Sequence, residues 1–109
     1  MNSFIFKADT IRGYTEDALT IAKMKSKIND ELLKASQLGE YWCHYKAPML
    51  ASEMAVKHLR DSLVASGYKV KVTLNNDGFW LTILWAPEDR RVTFGDGEWD
   101  NYEEYQFKD

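Results

Sequence analysis

Cys43 and His44 stand side by side in the segment EYWCHYK, and a thiol beside an imidazole is a pairing from which nucleophiles and metal sites are built. The surrounding residues read as a strand, where neighbours point to opposite faces, so these two side chains diverge instead of meeting. His58 is the other histidine, and no Cys or His pair has a metal-ligand spacing. A buried thiol next to an ordinary histidine is the expectation. Asp96-x-Glu98-x-Asp100 has the alternating acids of a calcium loop. The EF-hand pattern, however, needs Gly at its sixth position and Glu at its twelfth, where Asn101 and Phe107 stand. Solvated turn acids are expected there. Gly95-Asp96-Gly97 neither follows a strand nor opens a helix, as a phosphate-cradling loop must. Acids and hydroxyls are plentiful, but no spacing assembles a nucleophile, a base and an orienting group. The chain is expected to be no enzyme and to hold no metal or cofactor.

The elements that carry these residues follow from periodicity. Leu19, Ile21, Met24, Ile28, Leu32 and Ala35 recur at three- and four-residue steps, which predicts a helix over 15–38. Thr15 is its expected N-cap, Glu16 and Asp17 suit the dipole of its first turn, and Gly39 is its stop. At ~1.5 Å per residue this helix is ~36 Å long, long enough for its first turns to project beyond a small body. Residues 40–46 predict a strand with Tyr41, Cys43 and Tyr45 on one face and Trp42 and His44 on the other. Pro48 suits the start of a second helix reaching about Ser66. Its core positions are Ala51, Ala55, Leu59 and Leu63, with Met54 and Val56 beside them, and Gly67 ends it.

A hairpin closes the unit. Tyr68, Val70, Val72 and Leu74 share one face with Phe79, Leu81, Ile83 and Trp85, and Asn75-Asn76-Asp77-Gly78 supplies the turn. Asn and Gly there tolerate the positive φ of a tight connection. The expected fold is α+β in the order αβαββ, two helices on one face of a small sheet, antiparallel or mixed. The sheet has three strands, or four if residues 92–94 join it. Residues 1–86 form the domain, with 1–14 as an N-terminal arm, and residues 87–109 form an acidic, aromatic tail.

Bulk composition sets the bounds. A chain of 109 residues with 45% hydrophobic and 14% aromatic content suits one core, far from the disordered class. One cysteine allows no internal disulfide, which fits a reducing compartment. The start, MNSFIFKADT, lacks a basic region and a long apolar run, so no secretory signal and no membrane segment are expected. Eight acids against three basic residues leave residues 86–109 at −5, so residues 1–85 carry +2 of the net −3. Binding of nucleic acid needs clustered basic charge, so direct nucleic-acid binding is not expected. Lys57, His58 and Arg60 are too few for a recognition helix.

INDELLKASQLGEYWCHYK, a second helix, GYKVKV and then LTILW resemble a class of small αβαββ proteins encoded by tailed bacteriophages. Gly67, Tyr68 and Val70 match the Gly-Tyr-x-Val signature of that class, and Ile83 and Trp85 match its closing Ile-Ser-Trp, with Leu84 in place of the serine. FKADTIR is similar to the start of some members. The resemblance spans roughly residues 4–85. It implies a structural or accessory protein without catalytic residues, in the cytoplasm of a bacterial host or in the virion.

Lys69, Lys71, Trp80 and Leu84 fall on the hairpin face opposite the core stripe, and a Trp and a Leu there call for cover. Trp99, Tyr102 and Tyr105 of the tail are one source of cover, with Glu103 or Glu104 near the lysines. A homo-oligomer or another protein, from the host or the virion, is a second, and stacking of nucleic-acid bases is the third and least expected. The expected function is a non-catalytic, phage-type protein acting by protein–protein interaction, either an accessory factor directed at host machinery or a minor virion component. The alternative is an acidic inhibitor that mimics nucleic acid and occupies a host nuclease or DNA- or RNA-binding protein, using the −5 tail.

Overall fold

In a computed structural model, residues 5–88, 92, 99 and 103–107 are described. Helix α1 spans Ala8–Gln37, thirty residues, and so begins seven residues before the expected Thr15. No proline interrupts the upstream residues, Asp9 supplies the acid of the first turn, and Arg12 pairs with it at 2.8 Å. Thr15 is an interior residue whose Oγ1 donates to the Ile11 carbonyl one turn back. The core stripe is Met24, Ile28 and Leu32, flanked by Ile21 and Ala35. Leu19 is 59% exposed, contrary to expectation. It lies nine residues before Ile28, two and a half turns of helix, and so faces the opposite way.

Helix α2, Glu53–Ala65, starts five residues after Pro48. Ser52 is the N-cap, its Oγ accepting the Ala55 amide at 3.1 Å, and Pro48 closes a preceding turn by accepting from Ala51. Ala55, Val56, Leu59 and Leu63 are buried, but Met54 faces solvent. Both helices end alike. Glu40 N–H bonds Ala35 O and Gly39 N–H bonds Ser36 O, and Tyr68 and Gly67 repeat the pair on Leu63 and Val64. This is the Schellman closure, and Gly39 (φ 80°) and Gly67 (φ 97°) take the left-handed position it demands.

Strands β1 (Trp42–Lys46), β2 (Lys69–Asn75) and β3 (Gly78–Leu84) form one antiparallel sheet in the order β1-β3-β2. The α+β order is the expected one. The β2–β3 connection is Asn76-Asp77, and no described residue other than glycine has a positive φ, so a type I′ turn is ruled out. Asn75 Oδ1 accepts the Asp77 amide at 2.8 Å, and Gly78 (φ 113°) alone takes the left-handed conformation. Val92 is outside any strand, and the rest of the suggested fourth strand lies outside the described residues.

One face of the sheet carries Cys43, Tyr45, Val70, Val72, Leu81 and Ile83 into the core with both helices. The helices run side by side in the same direction: Ser52, before α2, donates to Asp17 of α1 at 3.3 Å, and further along Ile28 and Leu32 line one groove with Leu59 and Leu63. No helix among the described residues is long and apolar enough to cross a membrane.

Candidate functional site

With the helices on the inner face, the outer face of the sheet is built by alternation from all three strands. Its cross-strand rows are Trp42–Leu84–Lys69, His44–Thr82–Lys71 and Lys46–Trp80–Thr73. Leu84 and Trp80 are thus each flanked by a cationic or polar side chain. β1 brings Trp42, His44 and Lys46 to the face on which Lys69, Lys71, Trp80 and Leu84 were expected. The alternation in EYWCHYK signalled this contribution, but strand order had to place β1 beside β3.

The centre of the face is closed to water. Thr82 is 1% exposed, and its Oγ1 lies 3.0 Å from His44 Nδ1, while the Trp42 ring meets His44 edge-on at 5.0 Å. Towards the margins Trp80 and Leu84 are half-buried, and Lys69 is exposed. The Trp80 Nε1–H is buried and meets no acceptor among the described residues. An unmet buried donor carries a penalty of ~1–3 kcal/mol.

Part of the cover is the chain's own tail. Lys71 Nζ donates to the Trp99 carbonyl at 2.9 Å and sits 5.1 Å from the Trp99 ring centroid, a cation–π contact. Tyr102 lies outside the described residues. Tyr105, a further candidate for this cover, goes elsewhere: its N–H bonds Val72 O, its hydroxyl donates to Glu53 Oε1 of α2 at 3.0 Å, and its ring meets Phe79. The tail therefore touches the outer face at Trp99 and the helix side of β2 at Tyr105. Glu103 and Glu104 are exposed near Thr73 and Leu74, and no ion pair among the described residues joins them to Lys69 or Lys71. Phe107 as a docking residue was not expected, nor was the helix side of the hairpin as the place of Tyr105; the alternation Tyr-x-Phe was the available signal.

The thiol and imidazole diverge as strand geometry requires. Cys43 is buried on the core face, and burial, aided by Glu31, pushes its pKa up to about 11, the opposite of an activated nucleophile. Burial also raises Tyr45, and Tyr105 is raised first by its hydrogen bond to Glu53. Among the described residues no group of three or more His, Cys, Asp or Glu could hold a metal. The calcium-like acids Asp96, Glu98 and Asp100, and the Gly95–Gly97 segment, lie outside the described residues.

A second apolar surface was only partly foreseen. Ile11 and Tyr14 continue the α1 core stripe past the last contact with the body, at 45% and 61% exposure, and the Phe6 ring packs edge-on to Tyr14. Compared with known protein families, characterised proteins and solved structures, the chain matches none of them.

Proposed function

We propose that this is a small non-catalytic binding protein of the bacteriophage accessory or minor-virion type, acting on a protein of the host or of the particle. The observation that carries the reading is the outer sheet face. It sets Trp42, Trp80 and Leu84 among Lys46, Lys69 and His44, an aromatic and cationic mixture suited to a protein interface. The match of Gly67, Tyr68, Val70, Ile83 and Trp85 to the phage signatures supports the biological setting.

The test is affinity capture from infected and uninfected cells with wild type, Lys69→Glu and Trp80→Ala. Lys69 is exposed, so its reversal leaves the fold intact and is expected to abolish capture of the partner. Undiminished capture by a folded Lys69→Glu chain overturns the outer face as the site. Trp80→Ala separates cover by the tail from cover by a partner: lost stability marks the first, lost capture with an unchanged melting temperature the second.

The acidic-mimic reading retains one favourable observation, the exposure of Glu103 and Glu104 in a tail of charge −5. It predicts binding to a basic protein that weakens steeply with salt. An affinity indifferent to ionic strength removes it.

A further inference from the structure

The segment 103–107 occupies a groove whose make-up describes a ligand. β2 is an edge strand, and its Val72 carbonyl accepts the Tyr105 amide at 2.6 Å. Tyr105 and Phe107 are two apart, the spacing that puts both on one side of an extended chain. Both meet Phe79: Tyr105 edge-on at 5.1 Å, Phe107 stacked at 6.4 Å and 12°. The two rings also meet each other at 5.0 Å. Arg60 of α2 lies 4.7 Å over the Phe107 ring, and Glu53 takes the Tyr105 hydroxyl. A main-chain bond at a sheet edge plus sockets for alternate side chains is how a folded domain takes up an extended peptide.

We propose that this groove, between the outer edge of β2 and α2, is a peptide-binding site that residues 103–107 fill in cis. Its ligand in trans is an extended segment with aromatic side chains two residues apart. The seated tail defines the aromatic spacing, and Glu53 and Arg60 define the two sockets, one taking a hydroxyl and the other a ring face. The occupant is removable: among the described residues every buried core position falls between Met24 and Ile83, and Tyr105 and Phe107 are only half-buried against it. The groove is distinct from the outer face, so this inference rests on the preceding reading only in taking the protein for a binder of proteins. Failure of the Lys69→Glu capture experiment leaves it standing.

A tethered occupant acts at an effective concentration on the order of mM, so a free peptide of Kd ~10 µM is suppressed ~100-fold in the intact chain. The test is fluorescence anisotropy of a labelled peptide of residues 99–109 titrated with the full chain and with its Tyr105→Ala/Phe107→Ala variant. The variant is expected to bind saturably and ~100-fold tighter than wild type, to ignore a scrambled peptide, and to lose binding when Phe79→Ala is added. A folded variant that binds no better than wild type, or binds the scrambled peptide equally, overturns the proposal. If the variant fails to fold, a protease site inserted after Phe94 in the wild-type chain replaces it. The cleaved tail is then expected to co-elute with the body and to be displaced by excess peptide; co-elution that excess peptide leaves unchanged, or separation without rebinding, overturns it. A wild-type dimer that disappears in the double variant also overturns the cis arrangement and gives the groove to a second copy's tail.

Discussion

Cys43 and His44 show how little adjacency in sequence means on a strand. One is buried among helices with its thiol pushed up to about 11, and the other reaches Thr82 across the opposite face. At pH 8 about one Cys43 thiol in a thousand is ionised, against roughly one in four for a free thiol of pKa ~8.5. Modification by a disulfide reagent at that pH is therefore expected to run at least ~100-fold slower in the native chain than in urea; comparable rates would refute a buried thiol. The raised folded value also has a sign. Below the ordinary thiol pKa ionisation affects neither state, and stability falls as pH rises through that value towards 11, because the unfolded chain loses the proton first. Ile83, fully buried at the centre of the sheet, is the packing counterpart. Ile83→Ala is expected to destabilise by ~2–5 kcal/mol in urea titrations.

Element boundaries were legible where they depend on local backbone chemistry and illegible where they depend on what comes before. Gly39 and Gly67 end their helices because each needs a left-handed residue at C′, a requirement readable from the glycine itself. The start of α1 was misplaced because Thr15 is an acceptable cap only if the helix is not already running, and residues 8–14, which hold no proline and an Asp9–Arg12 pair, continue it upstream. Two glycine substitutions test the contrast. Gly67→Ala keeps open space around its new Cβ but must hold φ near 97°, so a loss of ~1–2 kcal/mol is expected in thermal unfolding. Gly13→Ala, in an exposed helical turn with equally open space and no positive φ, is expected to gain ~1 kcal/mol of local helix stability. That gain reads as ~5-fold greater amide protection across the first turns of α1. Equal effects at the two positions would contradict the assigned backbone.

At the scale of the whole molecule, α1 is the outlier. Thirty helical residues span ~45 Å, against shorter dimensions of 26 and 25 Å for the molecule, whose longest is 60 Å. The buried positions of α1 begin at Met24, so its first turns stand clear of the core. Ile11→Lys with Tyr14→Lys is accordingly expected to move the unfolding midpoint by less than ~0.5 kcal/mol. A large loss would mean that this arm packs on the body. The tail does the reverse, returning to the domain at both sides of β2 and closing its edge at Val72.

By itself the sequence determined the two helices, the hairpin, the inward stripe of each strand apart from Leu74, which ends 51% exposed near the turn, and the absence of a recognisable catalytic spacing. These follow from periods of 3.6 and 2 and from glycine conformations, which neighbouring residues settle among themselves. Only the tertiary structure decided that β1 lies beside β3, completing a face of Trp42, His44, Lys46, Trp80 and Leu84, and that Tyr105 and Phe107 meet Phe79 and α2. Such contacts join residues far apart in the chain. Their choice rests on which surfaces remain unburied once the core has formed, and no local pattern encodes that.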